Sequence, residues 1–221
     1  KERSIVFFGR NIFDLVGLAT VRDWRQFEGR EGFDLLKDQW RLSPGLGEEV
    51  SRAFYGGILN QARTSACEDL SGVLRPGIHW YDPQPWGGSD PERAAHQIKL
   101  ALEALRARSP RRLTISIVTS KRPEGQAWPK ALARSHRHDE LLSTFRIQGR
   151  TCDIVFFDPI FWGEASLEFK DWIRRCWTVA MTRASHAVVL LGTEHQVWSE
   201  TPFARPKAMW SLREELEIPG H

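Results

Sequence analysis

Five apolar runs punctuate the chain: SIVFFG at 4 to 9, GIHWYD at 77 to 82, LTISIVT at 113 to 119, DIVFFD at 153 to 158 and AVVLLG at 187 to 192. They are rich in β-branched and aromatic residues, with only isolated polar positions such as His79, Thr114 and Ser116, and read as strands buried on both faces. Helical periodicity fills the gaps. Ser43 and Pro44 supply an N-cap residue and a first-turn proline, and the segment closes on the Gly56-Gly57 stop. DPERAAHQIKLALEALRARS (90 to 109) sets Ala95, Ile98, Leu102 and Leu105 at helical spacing behind Asp90 and Pro91. EGQAWPKALARSHRH (124 to 138) predicts a weaker helix broken by Pro129, and SLEFKDWIRRCWTVAMTRA (166 to 184) predicts one helix or two short ones. KAMWSLREELEIPGH (207 to 221) reads as a short amphipathic helix that packs on the sheet or on a partner domain. The turn-rich stretch DPQPWGGSDP (82 to 91) is a loop. Strands alternating with helices predict a parallel, doubly wound α/β sheet with ligands at the carboxyl ends of its strands.

A chain of 221 residues can bury one sizeable core. No run approaches the roughly 18 uncharged apolar residues of a membrane span. The apolar start is too short for a signal peptide, and the chain opens on Lys1, which leads us to expect a piece of a longer polypeptide. Cys67, Cys152 and Cys176 form no C-x-x-C pair, consistent with a reducing, nuclear or cytoplasmic compartment. Net charge is only +3, yet Arg106 to His138 carries nine Lys or Arg against the single acid Glu124. Such asymmetry attracts phosphate or simply makes a solvated face. Most of the ten tryptophans, Trp24, Trp40 and Trp128 among them, read as packing residues; Trp86 and Trp162, in glycine-containing loops, are candidate stacking platforms.

Several chemistries are missing. The chain has no G-x-x-x-x-G-K-[ST] phosphate loop, no G-x-G-x-x-G turn and no G-x-S-x-G elbow, and the His136/His138 pair lacks a third metal ligand. Polar residues and arginines remain beside the strands: Gln39-Trp40-Arg41, Thr119-Ser120, Gln148-Gly149-Arg150 and Thr182-Arg183. A guanidinium forks onto phosphate oxygens, so arginines from separate elements can stabilise a transferring phosphoryl group. The plainer alternatives are a helix-end cation for Arg183, pairing with Asp38 or Glu48 for Arg41, and pairing with Asp153 or Asp158 for Arg150.

At these residues the chain resembles superfamily 1 helicases. DQWRLSPGLGEEVSRAFYGGIL looks like motif IV, Q-Y-R-M-H-P followed by a helix ending in F-Y-x-G-x-L. ISIVTSKRPEGQ is similar to I-x-I-I-T-P-Y-x-x-Q, STFRIQGRTCDIVFFD to motif V, and TVAMTRASHAVVLLG to motif VI. The order agrees, and the resemblance to the superfamily 1B branch that includes the nonsense-mediated-decay RNA helicase runs from about residue 35 to 195. Where motif V has glutamate this chain has Thr151, where T-V-D has aspartate it has Phe145, and motif VI begins with Thr178.

The resemblance implies a three-layer RecA-like domain, the second motor domain of an ATP-dependent helicase or translocase, without a P-loop of its own. Residues 1–34 would lead in, 35–195 would form the RecA-like domain and 196–221 a C-terminal helical extension. ATP with Mg²⁺ would be bound mainly by a first RecA-like domain elsewhere in the polypeptide. Arg41 and Arg183 would be arginine fingers; Gln39, Gln148, Gly149 and Arg150 would serve the nucleotide side; Thr119, Ser120 and Ser143 would meet the backbone of single-stranded RNA or DNA. The fragment alone would be catalytically silent. The alternative is a degenerate RecA-like module that binds a protein partner or nucleic acid without hydrolysis.

Overall fold

The computed structural model describes residues 36–62, 70–83, 90–120, 127–135, 141–161, 169–202 and 206–218. The expected strand at 4 to 9, Trp24, Trp86, Trp162, Cys67, Glu124 and the His136/His138 pair lie outside them.

A helix α1 (Pro44–Phe54) is bracketed by two short strands, β1 (Asp38–Gln39) and β2 (Asn60–Gln61), which pair in parallel. Gly56 and Gly57 end the helix with φ of 63° and 77°, the left-handed region that glycine enters without a Cβ penalty. The main sheet has six strands. They are β3 (Gly77–Tyr81), β4 (Ile115–Thr119), β5 (Leu141–Ser143), β6 (Cys152–Asp158), β7 (Ala184–Leu191) and β8 (Trp210–Ser211), in the order β5-β4-β6-β7-β3-β8 and all parallel. Four of these are the expected apolar runs.

Parallel strands need crossovers: helices supply all but the β5–β6 link, residues 144–151, which is mostly turn, and the last described helix follows β8. The helices are α2 (Pro91–Arg108), α3 (Ala127–Ser135), α4 (Lys170–Met181), α5 (Glu194–Ser199) and α6 (Leu212–Leu216). Asp90 caps α2 by accepting from Glu92 N and Arg93 N at 3.0 and 3.3 Å, and its apolar stripe, from Ala94 through Leu105, is buried. Pro129 does not break α3. It is the third residue of that helix, within the first turn, where the backbone N–H has no intrahelical acceptor to lose.

Side chains alternate across the sheet into two cores. Ile154 and Phe156 of β6 face α2, α3 and α6, whereas Val155 and Phe157 face α1 and α4. That sandwich of helices on both faces of a parallel sheet is the three-layer α/β arrangement the pattern implied, consistent with a RecA-like fold. Fully buried Trp177 of α4 packs edge-on against Phe157, centroids 5.2 Å apart, and its Nε1 donates to Ile160 O at 3.2 Å. The C-terminal part joins the same body: β8 pairs with β3, and Leu212, Leu216 and Ile218 enter the α2 core.

Candidate nucleotide and nucleic-acid interface

Arg183 follows directly on α4, whose C-cap is Thr182, and stands at the amino end of β7. Its carbonyl accepts from Cys152 N at 2.9 Å, so the entrances of β6 and β7 are tied together. A register shift follows at once: Cys152 is opposite Ala184 but Ile154 is opposite Ala187. This irregularity turns carbonyls of β7 toward α1. Ser43 N donates to Ser185 O at 2.8 Å and Ser43 Oγ to His186 O at 2.9 Å. Ser43 therefore does not cap α1 with its hydroxyl; it pins the start of α1 to β7, the kind of re-aiming that bulges provide beside sites.

Pinning α1 here delivers Arg41. Its Nη1 donates to Thr182 O at 3.2 Å, while Arg183 Nη2 donates to the Thr182 hydroxyl at 3.0 Å. Thr182 thus holds both guanidinium groups, through its carbonyl and its side chain. Asp38 accepts from Asn60 at 3.0 Å and Glu48 pairs with Lys207 at 3.6 Å. Gln39 shapes the loop: its Oε1 accepts from Leu42 N at 2.8 Å, and its Nε2 donates to Leu42 O at 3.2 Å and to Gln61 Oε1. Its amide thereby acts on the site by fixing the Trp40–Arg41 turn. Tyr55, at the end of α1, completes the group.

Charge runs one way. Burial lowers the Arg183 pKa from its ordinary value and the neighbouring Arg41 lowers it further, although a guanidinium stays charged. Burial raises the Tyr55 phenol, against the opposing pull of Arg183 and then Arg41, so the hydroxyl remains a neutral donor. Arg150 is exposed just before β6, close enough that it and Arg183 both act on the Cys152 thiol, which burial nevertheless pushes up. Among the described residues neither Arg150 nor Arg183 has a carboxylate partner. The acid expected as an alternative for Arg150, Asp153, is taken by Arg111: Nη2 and Nη1 reach its two oxygens at 2.7 and 3.0 Å, and Thr114 N and Oγ1 add bonds of 2.8 and 2.7 Å. Burial raises the Asp153 carboxyl, but Arg111 and Thr114 outweigh it and hold the pKa below its usual value. One arginine of the basic stretch is therefore structural.

The expected site residues fall into two sets at opposite ends of the sheet. Arg41, Arg150 and Arg183 gather at the amino ends of β6 and β7, not at the carboxyl ends that the doubly wound pattern implied. Chain order explains this correction, because Arg150 and Arg183 come just before β6 and β7, and Arg41 is brought to them by the pinning of Ser43 to β7. Gln148 and Gly149 lie exposed on the turn that leads to Arg150, with Gly149 at φ 82°. Thr119, Ser120 and Ser143 are at the carboxyl ends of β4 and β5, where Thr119 is opposite Ser143. Thr119 is fully buried and Ser120 nearly so, its Oγ without a hydrogen-bond partner among the described residues; Ser143 is half-buried.

The structure corrects the reading of Trp40 as a packing residue, and it exposes the ring of Phe145, which the sequence marked only as a departure from motif V. Trp40 is 72 % exposed beside Arg41, and Phe145 is 67 % exposed beside Ser143. Trp40 lies between two residues singled out for chemistry, which was the available signal; Trp128, by contrast, does pack against a core.

No family model and no curated protein matches the chain. Among solved structures, the C-terminal domain of a possible DNA helicase from Lactobacillus plantarum is similar over 66 % of this chain and 97 % of its own, at 13 % identity and a TM-score of 0.41. The arterivirus nonstructural protein 10 helicase is similar over 73 % of this chain at 13 % identity and a TM-score of 0.35. The nonstructural protein 10 helicase of PRRSV is similar over 77 % of this chain at 16 % identity and a TM-score of 0.38. The chain spans 26 % of the length of each of these two viral helicase chains.

Proposed function

We propose that this chain is the second motor domain of an ATP-dependent superfamily 1 helicase or translocase acting on single-stranded RNA or DNA. The observation that supports it most is the convergence of Arg41 and Arg183 on Thr182, two like charges set side by side with Tyr55 and with Arg150 nearby. Placing cations together costs free energy that a bound polyanion offsets. Arg183, half-buried, and Arg41, exposed, are presented as a pair that takes up phosphoryl charge when a first RecA-like domain closes on it. ATP with Mg²⁺ would supply the transferable phosphoryl group; the role of this chain's residues is to orient it and stabilise charge. Trp40 offers an indole face next to Arg41 for a base.

Single-stranded nucleic acid would run across the other end of the sheet, past Ser143, with Phe145 as a stacking face and Thr119 and Ser120 shaping the floor. Hydroxyl and stacking contacts carry little base information, so binding is expected to tolerate sequence and weaken with salt. A second reading, a RecA-like module that binds without hydrolysis, draws on Thr151 and Phe145, where the motif V pattern has acids.

ATP turnover by the full polypeptide, with and without single-stranded RNA or DNA, separates the two. The motor reading expects nucleic-acid-stimulated turnover that Arg183→Ala lowers on the order of 10³-fold. Absence of turnover with nucleic-acid binding intact would leave the binding module.

A further inference from the structure

A second feature stands apart from the arginine group, at the β8 edge of the sheet. There a cleft of about 390 Å³ opens between β3, α5 and the β8–α6 segment, within the roughly 300–1,000 Å³ of small-ligand sites. Its walls are the indoles of Trp80, Trp198 and Trp210 with Met209. Among the described residues, three carboxylates, Glu194, Glu214 and Glu215, line it with one cation, Arg75.

The cleft is built rather than incidental. Trp210 is seated on the buried His79 ring, centroids 5.4 Å apart, and against Gly77, where an added Cβ would come within 2.8 Å of the indole. Gly77 itself sits at φ 136°, so this position is closed to a side chain twice over. Glu215 Oε1 accepts from Arg75 N at 2.7 Å, and its Oε2 faces His79 Nδ1 at 3.3 Å without hydrogen-bond geometry. Burial lowers the His79 pKa, and its Nε2 lies 2.9 Å from Arg75 O, so the ring under Trp210 is fixed in place from below. On the other side, Glu49 of α1 accepts from Lys207 N at 2.8 Å and fixes the segment that carries Met209 and Trp210.

Indole is the aromatic face that attracts cations most strongly, and the cleft already shows this: the Arg75 guanidinium lies 5.9 Å from the Trp210 ring centre. The three tryptophans and Met209 offer N-methyl groups apolar, polarisable contact that the N–H groups of a primary ammonium would not gain, while the carboxylates supply charge to either. A fully methylated ammonium has no N–H to satisfy. We propose that this cleft binds a quaternary ammonium group, held by the three indoles and by the surplus carboxylate charge.

Isothermal titration of the purified protein tests it with choline and with 3,3-dimethylbutanol, the neutral isostere. Choline should bind saturably and the isostere at least about tenfold more weakly. Trp198→Leu should weaken choline at least about tenfold, and Glu194→Gln, an exposed change that leaves packing untouched, several-fold, with far-UV circular dichroism unchanged. Equal binding of choline and its isostere, no saturable binding of either, or choline affinity unmoved by Glu194→Gln would overturn the proposal. A peptide carrying trimethyllysine, run beside its unmethylated counterpart, identifies the source: tighter binding than choline assigns the site to a modified protein tail, and binding no tighter assigns it to a free small cation.

Discussion

Asp153→Asn tests how the arginine group is held in place. Asp153 opens the straight part of β6, one residue after Cys152, whose N–H is bonded to Arg183 O. Its carboxylate accepts four bonds, two from Arg111 and two from Thr114. An asparagine keeps the shape and can still accept from Thr114 with its oxygen. Its amide nitrogen then points at Arg111, donor against donor. A hydrogen bond to a charged group contributes about 1.5–3 kcal/mol, and since the Arg111 side chain is 37 % exposed and can regain water, the lower part of that range applies, about 2 kcal/mol. In a domain of this size that lowers Tm by roughly 4–8 °C. Asp153→Ala also strands Thr114 N and should cost more, about 3 kcal/mol. The pH dependence gives an independent check. The folded pKa of Asp153 is depressed, so its contribution is fully present above the unfolded value of about 3.9 and is lost as pH falls through the folded value. Urea unfolding followed by circular dichroism should show wild type and Asp153→Asn separated at neutral pH and converging in acid below about pH 4. Equal stability of the two at pH 7, or a gap that persists unchanged in acid, would refute the reasoning.

Further outcomes follow from the same contacts. Thr182→Val removes the hydroxyl that accepts from Arg183 at 3.0 Å and donates to Val179 O at 3.2 Å while keeping its shape; turnover of the full polypeptide should drop about tenfold with Tm lowered by only about 2–4 °C, whereas a merely structural Thr182 would lower Tm and spare turnover. Gly149→Ala meets no atom within 4 Å but forces a Cβ into φ 82°, so chemical denaturation should register a loss of about 1–2 kcal/mol, and Gly149→Asn a smaller one. Trp177→Ala empties a fully buried site between Phe157 and Phe161 and should cost about 3–5 kcal/mol in the same assay.

Much of the fold was legible because burial writes itself into the sequence. GIHWYD, LTISIVT, DIVFFD and AVVLLG became β3, β4, β6 and β7, since a strand covered on both faces is mostly apolar and admits a polar residue such as His79 or Asp153 only with a partner. The short strands left no such mark. β5 has three residues and β8 two, and β1 pairs with β2 across 22 positions through a contact that only the closed fold creates. Pro129 misled because the pattern did not say that it falls in a first turn. Arginines were legible as residue types, but their end of the sheet depends on chain direction, and Thr182 as their common anchor depends on side-chain geometry that no spacing encodes. Arg111 shows the converse: a basic run suggests phosphate, yet one of its members is spent on Asp153.

The most direct test of the central claim, that Arg41 and Arg183 act as one anion-stabilising pair, is a double-mutant cycle on ATP turnover by the full polypeptide. Arg183→Ala should lower turnover about a thousandfold and Arg41→Ala less, and the double variant should be scarcely worse than Arg183→Ala alone, because residues acting as a unit are non-additive. Turnover unaffected by either change, or losses that multiply as for independent sites, would contradict the account.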